Sequence, residues 1–302
     1  MGSLKGQNFR ILQYDGSKWK CIAMSTNCVI TLNTETDESS TKDDGGMAAK
    51  PTAVRKSWQV QVDSLDVANV GAMLTKLKTP EPFTLMWDET AYAGNQTPAI
   101  STECRQGQAY LTDGTFTFDN RTNAGKSLTF TGIGAIADGP DDPETVEILA
   151  ASYTKGQFVR LFLSSDNTNT PASVIAAARQ LQFHVSLTME DNTTKDTTGD
   201  WQSQEPTALN YDISTTALIS SGETITSATV GKDLNDLETI YEAGNPVKFQ
   251  ICNVSGDNQR TKGSVIVSGS ALIQTLTINA QNKQVATYTA NLVGYGAYTV
   301  GS

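Results

Sequence analysis

Apolar and polar residues alternate one by one along four stretches of this chain. Residues 29–34 put Ile30 and Leu32 on one face and Thr31 and Asn33 on the other. Residues 57–64 set Trp58, Val60 and Val62 against Gln59, Gln61 and Asp63. Residues 182–188 set Phe183, Val185 and Leu187 against His184, Ser186 and Thr188, and residues 209–214 set Leu209, Tyr211 and Ile213 against Asn210, Asp212 and Ser214. A period of two predicts strands with one dry and one wet face. Shorter strands are predicted at 9–13, 83–87 and 247–252, and hairpins at 115–118 with 127–131 and at 275–278 with 285–290. Two stretches carry a helical period instead. Residues 67–78 follow a capping Asp66, line up Val67, Val70, Met73, Leu74 and Leu77, and stop at Pro80. Residues 234–242 follow Asp233 and stop at Gly244-Asn245-Pro246.

The order of these elements occurs twice. Residues 22–42 align with residues 175–195 at a constant offset of 153, with Ile22 answering to Ile175 and Lys42 to Lys195. Both segments open on Ile-Ala, alternate, and close on Thr-Lys-Asp before a glycine; Lys5-Gly6-Gln7 recurs as Lys155-Gly156-Gln157. A repeat of about half the chain points to a duplicated domain, since solenoid periods run at about 20–50 residues. The expected division is a first domain at 1–137, a linker rich in Pro, Gly and acid at 138–153, and a second domain at 154–302. A doubled subunit can fill two places in a symmetric ring.

Composition narrows the function. Charged residues make up 18% of the 302, and the net charge is −10. That balance argues against gripping nucleic-acid phosphates, which takes clustered Lys and Arg. Cys21, Cys28, Cys104 and Cys252 form no C-x-x-C pair, and the single His184 leaves too few ligands for zinc, so no metal or cofactor is expected. The first residues lack the apolar run of a signal peptide, and no stretch approaches the roughly 20 apolar residues of a membrane span.

Candidate chemistry is thin. Residues 120–127, NRTNAGKS, look like a phosphate loop without its first glycine, but strands flank them where the mechanism needs a helix, so they read as a hairpin tip. His184 as a general base lacks a Ser or Cys in nucleophile context. The acids Asp37, Glu38, Asp43 and Asp44 lack EF-hand spacing. Two long polar segments, 35–56 and 190–206, stand at equivalent places, and loops this long are usually functional or disordered. They are expected to be arms that order on a neighbouring subunit, through Asp37, Lys42, Asp43, Asp44 and Gly45 in the first and Lys195, Asp196, Gly199 and Trp201 in the second. The wet strand faces, Thr31, Asn33, Gln59, Gln61, Asp63, His184, Ser186, Asn210, Asp212 and Ser214, carry no Lys or Arg. The catalytic inventory is therefore empty, and no enzyme is expected.

Residues 23–32 (AMSTNCVITL), the polar segment with Ser40-Thr41-Lys42-Asp43 and glycine, and residues 56–62 (KSWQVQV) resemble the major tail tube proteins of long-tailed phages. The second copy shows the same elements, with Trp201 soon after Gly199, but Leu209 is read in the place of Trp58. The resemblance implies a mainly β fold, two tandem copies of a tail-tube-type β-sandwich or open barrel, each with one flanking helix. It implies a virion protein, made in the bacterial cytoplasm, whose rings stack into the conduit for DNA ejection. A duplicated chain implies trimeric, pseudo-hexameric rings. The implied partners are further copies of the chain, the tape measure protein, the tail terminator, and double-stranded DNA that passes without specific binding. Under that reading the ten wet-face residues line the lumen, where phosphates must slide without sticking. Two rivals stay open: a carbohydrate-binding or adhesin module of two β-sandwiches, and a hydrolase with its site between the copies.

Overall fold

The computed structural model describes residues 6, 9–14, 16–22, 25–40, 50–65, 70–89, 104–139, 146–148, 154–194, 200–219, 231–255 and 261–301. In the first half, β1 (Phe9–Tyr14), β2 (Trp19–Cys21), β3 (Ser25–Glu38) and β4 (Pro51–Ser64) precede α1 (Val70–Lys78), which is followed by β5 (Phe83–Glu89), β6 (Arg105–Asp119), β7 (Gly125–Asp138) and β8 (Val146–Ile148). In the second, β9 (Val159–Leu163), β10 (Ser173–Val174), β11 (Ala178–Asp191) and β12 (Gln204–Leu218) precede α2 (Leu234–Ala243), then β13 (Val247–Ser255), β14 (Thr261–Asn279) and β15 (Thr287–Val300). All fifteen described strands join one sheet, mainly antiparallel and not closed on itself.

The two halves carry the same ladders. In the first, hydrogen bonds link β2-β1-β5-β6-β7-β4-β3, and in the second β10-β9-β13-β14-β15-β12-β11. The irregularities of two ladder pairs match as well, although the shifts of β13–β14 at Ile251/Cys252 and Cys252/Val254 have no equivalent in β5–β6. The β3–β4 ladder shifts register between Ser25 and Asn27 and between Glu35 and Thr36; β11–β12 shifts between Ala178 and Gln180 and between Thr188 and Met189. β6–β7 shifts at Gln106/Gln108 and Leu111/Asp113, and β14–β15 at Ser268/Ser270 and Ile273/Thr275. Bulges bend strands and sharpen their twist, so both halves turn at the same places.

One buried cluster runs through both halves, with Val60, Val62, Leu74, Leu77, Phe116 and Phe130 from the first and Phe183, Ile213, Leu237, Phe249 and Tyr298 from the second. The aromatic anchors sit in matched glycine slots. Trp58 lies over Gly107 and Gly132, where an added Cβ would fall 2.4 and 2.0 Å from the indole. Tyr211 lies over Gly294, where a Cβ would fall 2.6 Å from the ring, and beside Gly269. The ladders thus put Tyr211, and not Leu209, in the place of Trp58: Gln59 faces Thr131 as Asp212 faces Val293. Both anchors satisfy their polar atoms on backbone carbonyls, Trp58 Nε1 on Gly134 at 3.1 Å and Tyr211 Oη on Ser270 at 2.6 Å.

The helices follow their signals. Asp233 caps α2 through a capping box with Asp236, and Gly244 closes it at a φ of 63°. α1 is described from Val70; its expected start at residues 66–69 lies outside the described residues. Three expectations are corrected. The polar segments 35–56 and 190–206 are not loops throughout: β3 runs on to Glu38 and β11 to Asp191, with Asp37 facing Thr52 and Asp191 facing Gln204. Where both faces are wet, the alternation disappears while the backbone ladder continues. The linker contains β8, which pairs in parallel with β2. Leu32 is not in the core but 65% exposed, because no described strand pairs with the outer edge of β3.

Candidate functional surface

Residues directly opposite in a ladder point to the same face of the sheet, so the registers trace a continuous wet surface. It crosses eight strands in the order β3-β4-β7-β6-β11-β12-β15-β14. One row passes from Asp63 through Ser127, Thr115 and His184 to Asp212. The next passes from Gln61 through Thr129, Asp113 and Ser186 to Asn210. Thr31 faces Gln59, Asn33 faces Ser57, and Ser214 faces both Gln182 and Asn291. All ten residues of the wet set therefore share this face. Sequence reading missed what β6, β7, β14 and β15 add to it, including Asp113, Thr115, Thr129, Thr275, Thr289 and Asn291. The signal was available as Thr alternating with Phe at 115–118 and with Leu and Phe at 127–131.

A lattice of short polar contacts covers the surface. Ser127 Oγ donates to Asp63 at 2.6 Å, and Gln61 donates to Ser127 at 3.3 Å. Ser214 Oγ donates to Asn291 at 2.7 Å, and Asn291 donates to Thr275 at 2.9 Å. At the centre His184 bridges two carboxylates, Nδ1 to Asp212 and Nε2 to Asp113, each at 2.7 Å. The hydrogen bonds to Asp113 and then Asp212 raise the imidazole pKa to about 10, against a smaller opposing effect of burial. At neutral pH the ring is a cation donating from both nitrogens, and a general base would need it neutral. These three residues join the halves, since His184 and Asp212 belong to the second and Asp113 to the first.

Arg55 corrects the expectation that this face is free of Lys and Arg. It stands on the same face farther along β4 and bonds Glu35 at 2.8 Å and also Asp191. It is thereby neutralised by one acid from each hairpin. Asp191 is itself held below the usual carboxylate range, first by the Thr193 hydroxyl and then by its backbone N–H.

The expected arms lie partly in view. Lys42, Asp43, Asp44 and Gly45 of the first, and Lys195, Asp196 and Gly199 of the second, lie outside the described residues. The return of the second arm docks on the first half of the same chain. Lys56 N donates to Asp200 O at 2.6 Å, Gln202 N to Lys56 O at 2.9 Å, and Gly134 N to Gln202 O at 3.0 Å. Trp201, half-buried, packs against the main core and bridges in parallel to Lys56. The residues 120–124 form the tip of the β6–β7 hairpin, as read. Among the described residues, no group of three or more His, Cys, Asp or Glu is placed to hold a metal.

Residues 155–300 match the family model described as phage tail tube protein. Among solved structures, the tail of an empty gene transfer agent particle, refined helically with C6 symmetry, is 15% identical; the match covers 48% of this chain and 95% of that one, with a TM-score of 0.35. The virion of a native gene transfer agent particle gives 16% identity over 49% and 99%, with a TM-score of 0.36. The SPP1 tail tube gives 17% over 49% and 78%, with a TM-score of 0.36. No curated protein matches the chain.

Proposed function

We propose that this chain, a phage tail tube protein by the family membership of residues 155–300, builds the wall of the virion's tail tube as three-fold rings of six similar lobes. The observation that carries the ring is the recurrence in the two halves of the seven-strand ladder order, of the bulges in two hairpins and of the aromatic slot. That recurrence supports a duplicated domain, with 1–137 and 154–302 as its copies. Two copies in one chain fill two of six places, so three chains close the ring.

The wet face supplies the lumen in this reading. Its described positions hold mainly Thr, Ser, Asn, Gln and Asp, with Val29 and Val293 among them, and the cations His184 and Arg55 are each held between two acids. Among the described residues DNA phosphates meet no free positive charge there and slide past. The dry face packs under the helices and gives the wall its stiffness. The arms carry contacts between lobes: the second arm reaches the first half of its own chain, and the first arm reaches the neighbouring chain. Tape measure protein and tail terminator contact the tube bore and end.

Mass measurement and negative-stain microscopy of the purified protein test the ring. Trimers, or stacks of trimers with a central hole, are the expected result. A stable monomer, or a ring of six chains, under conditions that support tube formation overturns it.

A further inference from the structure

The in-chain joint, where β11 runs along the end of β6 with Phe183 facing Phe116, ends in a clasp. Past β6 the chain turns through a hairpin tip at residues 118–124, and the second half holds that tip by its backbone. Asn120 N donates to Arg179 O at 2.8 Å, Gly156 N to Thr122 O at 2.9 Å and Ala124 N to Thr154 O at 2.7 Å. The tip lies in a groove between Gly156 and Arg160 on one side and residues 178–180 on the other, and leaves a cavity of about 100 Å³. The approach requires a glycine: a Cβ on Gly156 would fall 2.4 Å from the backbone N and O of Asp119.

The first half carries the same groove with no tip in it. The ladders put Arg10 in the place of Arg160, since Ile11 faces Trp87 as Leu161 faces Ile251, and Ser25 in the place of Ala178, since Ser25 faces Ser64 as Ala178 faces Ala217. Gly6, Arg10, Ser25, Thr26 and Asn27 line an open cavity of about 530 Å³. Gly6 stands in the Lys-Gly-Gln that recurs at Gly156, yet a Cβ on it would meet nothing within 4 Å, and it is not among the glycines at positive φ. Nothing among the described residues of its own chain accounts for a glycine there. A second tip of the same build is bare. The last ladder pairs, Thr117 with Gly125 and Asn279 with Thr287, each enclose seven residues, 118–124 and 280–286. Arg121 and Lys283 hold the same place in the two turns, at φ of 68° and 64°, a left-handed backbone rare outside glycine. Val285, in the place of Asn123, is 69% exposed.

We propose that the tip at residues 281–285 of one copy seats in the Gly6 groove of a second copy, clasped as the in-chain tip is. Asn282 N then donates to Thr26 O, as Asn120 N does to Arg179 O, and Gly6 N donates to Gln284 O, as Gly156 N does to Thr122 O. The proposal rests on the tube-wall reading above and assigns an interaction surface to the segment before β1. The in-chain clasp supplies the argument for the occupant: the same groove, in the other half, already holds a tip with the same turn. Seating covers Val285 and brings backbone against Gly6, where a side chain would stand in the way.

Valine at the two glycines tests the clasp. Gly156→Val lowers the urea midpoint of the unassembled chain, because its side chain meets backbone. Gly6→Val leaves that midpoint unchanged and raises the protein concentration needed for tubes by about tenfold or more. Gly6→Val chains that form tubes at the parent's concentration overturn the proposal. Crosslinking tests the occupant. Asn282→Cys with Thr26→Cys, in a Cys28→Ser background, is treated with a short bis-thiol reagent after assembly, and a chain-to-chain product on gels is expected. Asn282→Cys with Arg179→Cys gives none, since that groove holds its own tip. Tubes in which the first pair stays unlinked, or in which both pairs link equally, overturn the clasp and leave the tube reading standing. Absence of rings and tubes from the unmodified protein overturns both. Amide exchange on the unmodified protein answers without any variant: the Asn282 amide is fast in the single chain and protected in tubes, and equal rates overturn the clasp.

Discussion

β11 and β3 hold the same place in two matching sets of ladders, yet one is core and the other is surface. Val185 in β11 is fully buried, while Leu32, its counterpart in β3, stands in water. The two strands have the same partner on one side, β12 or β4, with bulges at the same positions. What differs is the other edge: β6 and helix α1 cover β11, with Tyr298 Oη donating across the joint to Leu74 O at 2.6 Å. Burial here is a property of the neighbour across the edge and not of the strand's own sequence.

The largest expected effect breaks that comparison directly. Phe183→Ala removes a fully buried ring and should cost the unassembled chain about 3–5 kcal/mol. Ile30→Ala, at the counterpart position, should cost it less, about 1–2 kcal/mol, since Ile30 packs against the core but is only partly buried in the single chain. Urea unfolding of the unassembled protein measures both; equal losses would mean that the two strands are not counterparts.

A second test asks whether the two halves share one lumen. Gln59→Lys, Gln61→Lys and Asn210→Lys together leave the dry face untouched and add three positive charges per chain. Each Lys–phosphate contact steepens the salt dependence of binding by about 0.9 in log–log slope. Tubes should assemble, and DNA ejection should stall at low salt and recover at high salt. Normal ejection at low salt would remove these strands from the channel.

The smallest effect concerns the His184 clamp, which the in-chain joint has and the β3 edge lacks. Its imidazole pKa is raised to about 10 by Asp113 and Asp212, so between about 6.5 and 10 the folded chain binds a proton that the unfolded chain has lost. The clamp's contribution is therefore full below about pH 6.5 and fades as the pH rises through 10. His184→Thr, which copies Thr31, should lower the urea midpoint at pH 6 and converge on the parent near pH 10.5. A constant difference across that range would show that the ring acts by packing alone.

Much of the fold was legible in local pattern. The alternating stretches became β4, β11 and β12, and Asp233 and Gly244 bounded α2. The matched repeat was legible too, although Leu209 was read where the ladders place Tyr211. The far ends of the hairpins were not legible, because Glu35, Asp37 and Thr52 are polar on both faces and leave no period to read. Nor were the first halves of β6 and β14, where glycines at 107 and 269 interrupt the alternation to admit Trp58 and Tyr211.

By itself, then, the sequence determined which side of each strand is dry, where the helices cap and stop, and that the pattern occurs twice. These are local quantities, set by side-chain period and by backbone groups that a nearby Asp or Gly satisfies. The tertiary structure alone decided that β11 lies on β6 while β3 lies on nothing in its own chain, and that Asp113, His184 and Asp212 meet. Strand pairing is written in backbone hydrogen bonds that every residue except proline can make, so the marks of partner choice are few, such as His184 against Asp113, lie far apart in the sequence, and are read only when the whole chain brings the two edges together.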